Sequence, residues 1–173
     1  AWHDKGSVLR SLHSHEEAIA CYEKAIELQP DFSLAWYNRG LTLQDLQRYE
    51  QAIASYDKAI ELQPKYPEAW MHRGDTLALL QRDDEAIEAY QQAMAMQPNS
   101  LAWLKQVKKL EKLQRYAEAI AVYDKRLQLK PEDANAWYCR GVILAKLQRE
   151  QEASASFEQA IACYDRSIKR EPN

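Results

Sequence analysis

His13 and His15, followed at once by Glu16 and Glu17, are where this sequence gathers imidazole and carboxylate most closely. Such a set could ligate a metal or pass protons, but either use needs further ligands or a nucleophile beside a base. No such partner stands at useful spacing, so the four read as solvated turn residues. Cys21, Cys139 and Cys163 are odd in number and lack CxxC spacing, so neither a disulfide framework nor a zinc site follows. They read as small, semi-buried side chains of a cytoplasmic, reducing setting. Phosphate chemistry needs a glycine-rich loop, and each glycine here falls inside a helical pattern. The expectation is no enzyme, no metal and no cofactor. Lys105, Lys108 and Lys112 recur at steps of three and four, which sets three ammonium groups on one helical face. That stripe could attract an acidic partner.

Charge and composition narrow the partners. A net charge of −3 and a pI near 5.9 provide no global attraction to nucleic acid or anionic lipid. The charge is uneven: residues 67–99 hold two basic and six acidic side chains, residues 100–133 eight basic and five acidic. No run of about 18 apolar residues exists, so no membrane span is expected. With four Gly and six Pro and no low-complexity run, no flexible linker is expected either.

The elements that must carry these residues repeat. All five Trp stand at 2, 36, 70, 103 and 137, spacings of 34, 34, 33 and 34, and the four Gly follow four residues after Trp2, Trp36, Trp70 and Trp137. A fixed period of this size means stacked units. Within one unit, Trp36, Arg39, Gly40, Leu43 and Leu46 mark one face of a first helix. Ala52, Tyr56, Ala59 and Ile60 mark a second, stopped by Pro64. A three-residue connection forces the pair antiparallel. Gly40, Ala52 and Ala59 let the axes approach, and Trp36 and Tyr56 fill the space beside them. A glycine inside a helix costs about 1 kcal/mol against alanine, so its recurrence points to a packing need.

These residues resemble the tetratricopeptide repeat, whose pattern is W-x2-L-G-x2-Y, then A-x3-F, then A and P. The resemblance covers the whole chain in five units: 1–32, 33–66, 67–99, 100–133 and 134–173. It implies an all-α fold, a right-handed α-α superhelix of five helix-turn-helix repeats. Departures from the pattern carry expectations of their own. Arg39, Arg73 and Arg140 stand where the family prefers Leu, as do Lys5 and Gln106; an arginine stem there should pack at the core edge while its charge reaches water. Gln47, Gln81, Gln114 and Gln148 hold the turn place where the family often has Gly, and strain follows if that place needs a positive φ. Unit four has Val107 for the Gly and Arg126 for an Ala, and its pair should be splayed or rotated. In unit five, Phe157, Ala160 and Ile161 are echoed seven residues later by Tyr164, Ser167 and Ile168, which predicts a last helix running to about Arg170. The chain starts at Ala1 within a repeat and neither end is capped, so a fragment of a longer protein is expected. Failing that, the end faces should self-associate through Tyr164 and Ile168 among others.

The resemblance also implies a function: first helices lining a concave groove that holds a peptide or helical segment of a partner protein. Carried over residue by residue, the groove positions are Tyr37, Asn38 and Leu41, then Met71, His72 and Asp75. Leu104, Lys105, Lys108 and Lys112 follow, and Tyr138, Cys139 and Val142 close the set. The carboxylate clamp of family members that bind chaperone tails is matched only at Asn38. The asparagine ladder of the sugar transferases is absent, since that place reads Asp4, Asn38, His72, Lys105 and Cys139. The expected partner therefore offers apolar residues to the Tyr and Leu positions and an acidic residue to the lysines. Two other readings stand beside it, an assembly element acting through the repeat ends and a docking segment of an enzyme encoded elsewhere.

Overall fold

The computed structural model describes residues 1–98 and 100–170. Among these are ten α-helices and no strand: α1 (Trp2–Ser11), α2 (His15–Leu28), α3 (Ser33–Asp45), α4 (Tyr49–Leu62), α5 (Pro67–Leu79), α6 (Asp83–Met96), α7 (Ala102–Lys112), α8 (Tyr116–Leu129), α9 (Ala134–Lys146) and α10 (Glu150–Arg170). The fold is an all-α helical-repeat solenoid whose odd-numbered helices open each repeat. Two compact units divide it, Ala1–Ala102 and Trp103–Asn173. The division falls at the entry to repeat four. α10 has 21 residues, against 14 in each of α2, α4, α6 and α8.

Each opening helix ends the same way. Gln47, Gln81, Gln114 and Gln148 have φ between 58 and 60°, and His13 shares the conformation at 60°. The following amide reaches back five residues, Arg48 N to the Leu43 carbonyl at 2.8 Å and Arg82 N to that of Leu77 at 3.0 Å. That bond closes a left-handed cap which satisfies carbonyls the helix end would leave unpaired. A side chain held at positive φ costs roughly 1 kcal/mol, and five turns bear it.

In the first unit the glycines serve a specific ring. A methyl group at Gly40 would lie 2.6 Å from Tyr56 Cε1, and one at Gly74 2.7 Å from Tyr90 Cε1. The tyrosine of the second helix therefore lies directly against the glycine of the first, and the small residue admits a ring as well as a neighbouring axis. Ile19, Leu43, Ala52 and Tyr56 form one buried cluster, and Ile53, Leu77, Ala86, Ala89 and Tyr90 form the next. Fully burying a large apolar side chain of this kind contributes about 1.5–3 kcal/mol. Between repeats the tryptophan pins the preceding turn: Trp36 Nε1 donates to the Pro30 carbonyl at 3.0 Å.

The arginines lie partly exposed at the edge of the core, and each charge there also finds partners within the protein. Arg39 lies over the Trp36 ring at 5.9 Å, donates to Glu23 at 2.9 Å and donates to the buried Ser55 hydroxyl at 2.7 Å. Arg73 repeats the ring and acid contacts on Trp70 and Asp57, at 5.7 and 2.6 Å. In the second unit Arg140 takes Trp137, Asp124 and Ser156 in the same way. One guanidinium thus ties three helices, because its planar fork serves a ring face and two acceptors at once.

Repeat four solves the same problem from the other helix. Gln106 holds the arginine place and is fully buried, while Arg126, on α8, lies 4.8 Å over the Trp103 ring and donates to Asp133 at 2.9 Å. Asp133 in turn caps α9 by accepting from Ala136 N at 3.1 Å. Of the two bulky residues of this pair, Arg126 is folded onto the tryptophan and Val107 is buried.

Candidate interaction surfaces

In the first unit, α1, α3 and α5 carry His3, Tyr37, Asn38, Leu41, Met71, His72 and Asp75. Packing brings many of them together. The Tyr37 ring lies 5.8 Å from His72, 6.0 Å from Tyr56 and 5.0 Å from Tyr66, and His72 stacks on Tyr56 at 6.3 Å. Asn38 Nδ2 lies 2.7 Å from His3 Nε2, and the Tyr90 hydroxyl donates to Asp75 at 2.9 Å. All four of Tyr37, Asn38, His72 and Asp75 are therefore half-buried; Tyr37, Asn38 and His72 meet a neighbouring repeat, and Asp75 ties α5 to α6 of its own.

Two residues absent from the sequence-based set belong to this surface. Phe32 lies 5.1 Å from His3, and Tyr66 stands in the same relation to Tyr37, 34 residues on. Each precedes its tryptophan by four residues. The signal was an aromatic at that place in two repeats, against Asp133 in the fifth.

A recess of about 700 Å³ opens beside α1, lined by Ser7, Arg10, Ser11, His13, His15, Tyr22, Asn38 and Asp45. Arg10 Nε donates to Asp45 across it at 2.9 Å. A smaller recess of about 180 Å³ lies at Met71, with Pro67, Glu68, Gln97, Ser100 and Leu101 around it.

The second unit presents different chemistry. Lys105 is half-buried, whereas Lys108 and Lys112 are exposed along α7. On α9 Tyr138 is 53% exposed, its ring 5.9 Å from Phe157, and Cys139 and Val142 are half-buried. Leu104 is half-buried on α7. Tyr123 of α8 packs against α7: its ring lies 6.1 Å from Trp103 and its hydroxyl donates to Glu111 at 3.2 Å.

The groups whose protonation is moved suit packing better than catalysis. Burial pushes the phenols of Tyr22, Tyr37, Tyr56, Tyr90 and Tyr123 above their ordinary range, and burial with the neighbouring Tyr37 and Glu68 pushes Tyr66 up to about 12. Hydrogen bonds from Arg82 and Arg149 hold the exposed Glu85 and Glu152 below theirs. Neither kind titrates near neutrality, where a general acid or base is most effective. Among the described residues, no three His, Cys, Asp or Glu side chains converge as metal ligands, and no helix is long and apolar enough to cross a membrane.

Comparison with known proteins gives one consistent family. Residues 39–100 match a profile described as tetratricopeptide repeat, and residues 6–47 and 110–148 match one described as TPR repeat. Between the matched ranges lies the gap 101–109, the α7 segment that carries Gln106 and Val107. No curated protein sequence matches. Among solved structures, the chain is similar to the MamA protein, with 24% identity, 99% of this chain and 94% of that one covered, and a TM-score of 0.74. It is also similar to YrrB, described as a TPR protein with an unusual peptide-binding site, with 23% identity, coverage of 94% and 84%, and a TM-score of 0.68. The first TPR of Spaghetti (RPAP3), bound to the HSP90 peptide SRMEEVD, is 25% identical over 65% of this chain and 90% of that one, with a TM-score of 0.63.

Proposed function

We propose, for a chain that belongs to the tetratricopeptide repeat family, that its protein-interaction surfaces are the faces of its opening helices, and that they hold a peptide or helical segment of a partner. The family is generally a non-catalytic interaction scaffold, and solved relatives such as YrrB and Spaghetti are described with peptide sites or peptides. The observation that carries the reading is in the second unit, where Tyr138 stands 53% exposed and Lys108 and Lys112 lie open on the stripe begun by Lys105. An aromatic ring left out of the core can be desolvated by a partner and so supplies affinity. Lysines steer an acidic residue and set its register. In the first unit, Tyr37, Asn38, Leu41, Met71, His72 and Asp75 offer an aromatic and amide surface of the same kind. In the second, Leu104, Cys139 and Val142 border the exposed groups. The module works in the cytoplasm, where its three unpaired thiols stay reduced.

Selection of random displayed peptides on the immobilised chain tests this. Acidic and apolar residues should be enriched, and Lys105→Glu with Lys108→Glu should weaken the selected peptides and flatten their salt dependence. Peptides without that composition, or an unchanged salt dependence, would sink the reading.

A further inference from the structure

Within each unit one contact recurs between successive repeats. Glu23 on α2, Asp57 on α4 and Asp124 on α8 occupy one place, and each accepts the cation that the next helix lays over its own tryptophan: Arg39, Arg73 and Arg140, at 2.9, 2.6 and 2.7 Å. Glu158 holds that place on α10, 34 residues after Asp124, and is exposed. One turn further, Ile161 is the counterpart of Ile26, Ile60 and Leu127. Those three are half-buried or buried, whereas Ile161 is 60% exposed. The same face continues through Asp165 to Ile168, 70% exposed, because α10 remains helical beyond the place where α2, α4 and α8 end.

The matching half lies on α1. Lys5 Nζ stands 5.4 Å over the Trp2 ring, in the place of Arg39 on Trp36, and Trp2 is 43% exposed. The internal interfaces show what the carboxylate of that face receives: a cation laid across the tryptophan of the next helix, beside a branched side chain that is half-buried or buried there. We propose that α1 of one copy docks antiparallel on α10 of a second copy, with Lys5 on Glu158 and Trp2 over Ile161 and Ile168.

Such a contact is head-to-tail, using two different surfaces, so each copy added leaves another pair of ends. One place is mismatched. Ser154 stands where α2, α4 and α8 carry Ile19, Ile53 and Ile120, so the contact is weaker than an internal one and fills with concentration.

Sedimentation of the purified chain from micromolar to millimolar concentration reads this out. Lys5→Glu or Glu158→Lys alone should weaken self-association about tenfold, since an exposed ion pair is lost and a repulsion added. An equimolar mixture of the two variants should recover the lost affinity, because the two exchanged charges then meet across the contact with their signs reversed. Ile161→Asp, at an exposed position that leaves the fold intact by circular dichroism, should abolish association. A chain that stays monomeric throughout overturns the proposal. So does association that Ile161→Asp removes but Lys5→Glu leaves unchanged, because that describes a symmetric α10 pair.

Discussion

The α3–α4 pair and the α7–α8 pair are the same motif built with different parts. In α3–α4 the Tyr56 ring lies on Gly40, and the cation over the tryptophan comes from the first helix, where Arg39 also reaches Glu23 and Ser55. In α7–α8, Val107 replaces the glycine and Gln106 the arginine, and the cation comes from the second helix, where Arg126 reaches Asp133. What is kept in both is a tryptophan face covered by a guanidinium with an acid behind it. What varies is which helix supplies it. The comparison shows that the repeat retains a physical arrangement even where it loses the residue that usually provides it. The substitution is imperfect, because both amide atoms of Gln106 are buried without a hydrogen-bond partner.

If Gly40 is needed for Tyr56, making α3–α4 resemble α7–α8 at that one place should be the most damaging change. Gly40→Val is expected to lower stability by about 3 kcal/mol, since the ring beneath it is fully buried and has nowhere to move. A urea midpoint that does not move would break the comparison.

Removing the two cations should rank them by burial. Arg126→Ala strips the partner from a mostly buried Asp133 and should cost about 2 kcal/mol, whereas Arg39→Ala leaves a half-exposed Glu23 and should cost about 1 kcal/mol. Equal losses in thermal or urea unfolding would mean that burial does not separate them.

Gln106→Leu restores the residue type the repeat pattern favours at that place and removes two unsatisfied buried atoms. It should raise stability by roughly 1 kcal/mol, and a lowered midpoint would show that the amide is held by contacts worth more than its burial costs.

The smallest effect near neutral pH comes from the tyrosines. Their folded-state pKa values are raised, so the stability they lend is complete below the unfolded value near 10 and is lost as pH climbs through the folded value, about 12 for Tyr66. Tyr56 and Tyr123 are both pushed up by burial and should ionise together with unfolding in both pairs. Tyrosinate absorbance rising in full before helicity is lost would refute this.

The helix pairs, their turns and their all-α stacking were legible because tryptophan, glycine and alanine recur at one period, and periodicity reports which residues share a role. Contacts were not legible in the same way. Nothing in the pattern says that Arg39 turns back to Glu23 and forward to Ser55, each 16 residues away, or that Phe32 and Tyr66 meet His3 and Tyr37 across an intervening helix. The candidate surface was read only as positions. Tyr37, His72 and Asp75 were chosen for facing outward, and packing draws Tyr37 and His72 into a contact between repeats and Asp75 onto Tyr90 of its own repeat, while Lys108, Lys112 and Tyr138 remain open.

By itself, then, the sequence determined the element order, the place of every turn and the helix-pair motif, because local backbone preference and a repeated apolar face depend on neighbours within about a turn. Only the tertiary structure decided which charges are consumed in holding repeats together and which are left for a partner. Burial, ion pairing and ring stacking depend on side chains brought close from distant parts of the chain, 16 residues away for Arg39 and its two acceptors. Repeat four makes the point within one chain, since only the fold reveals that Arg126 does there what Arg39 does in repeat two.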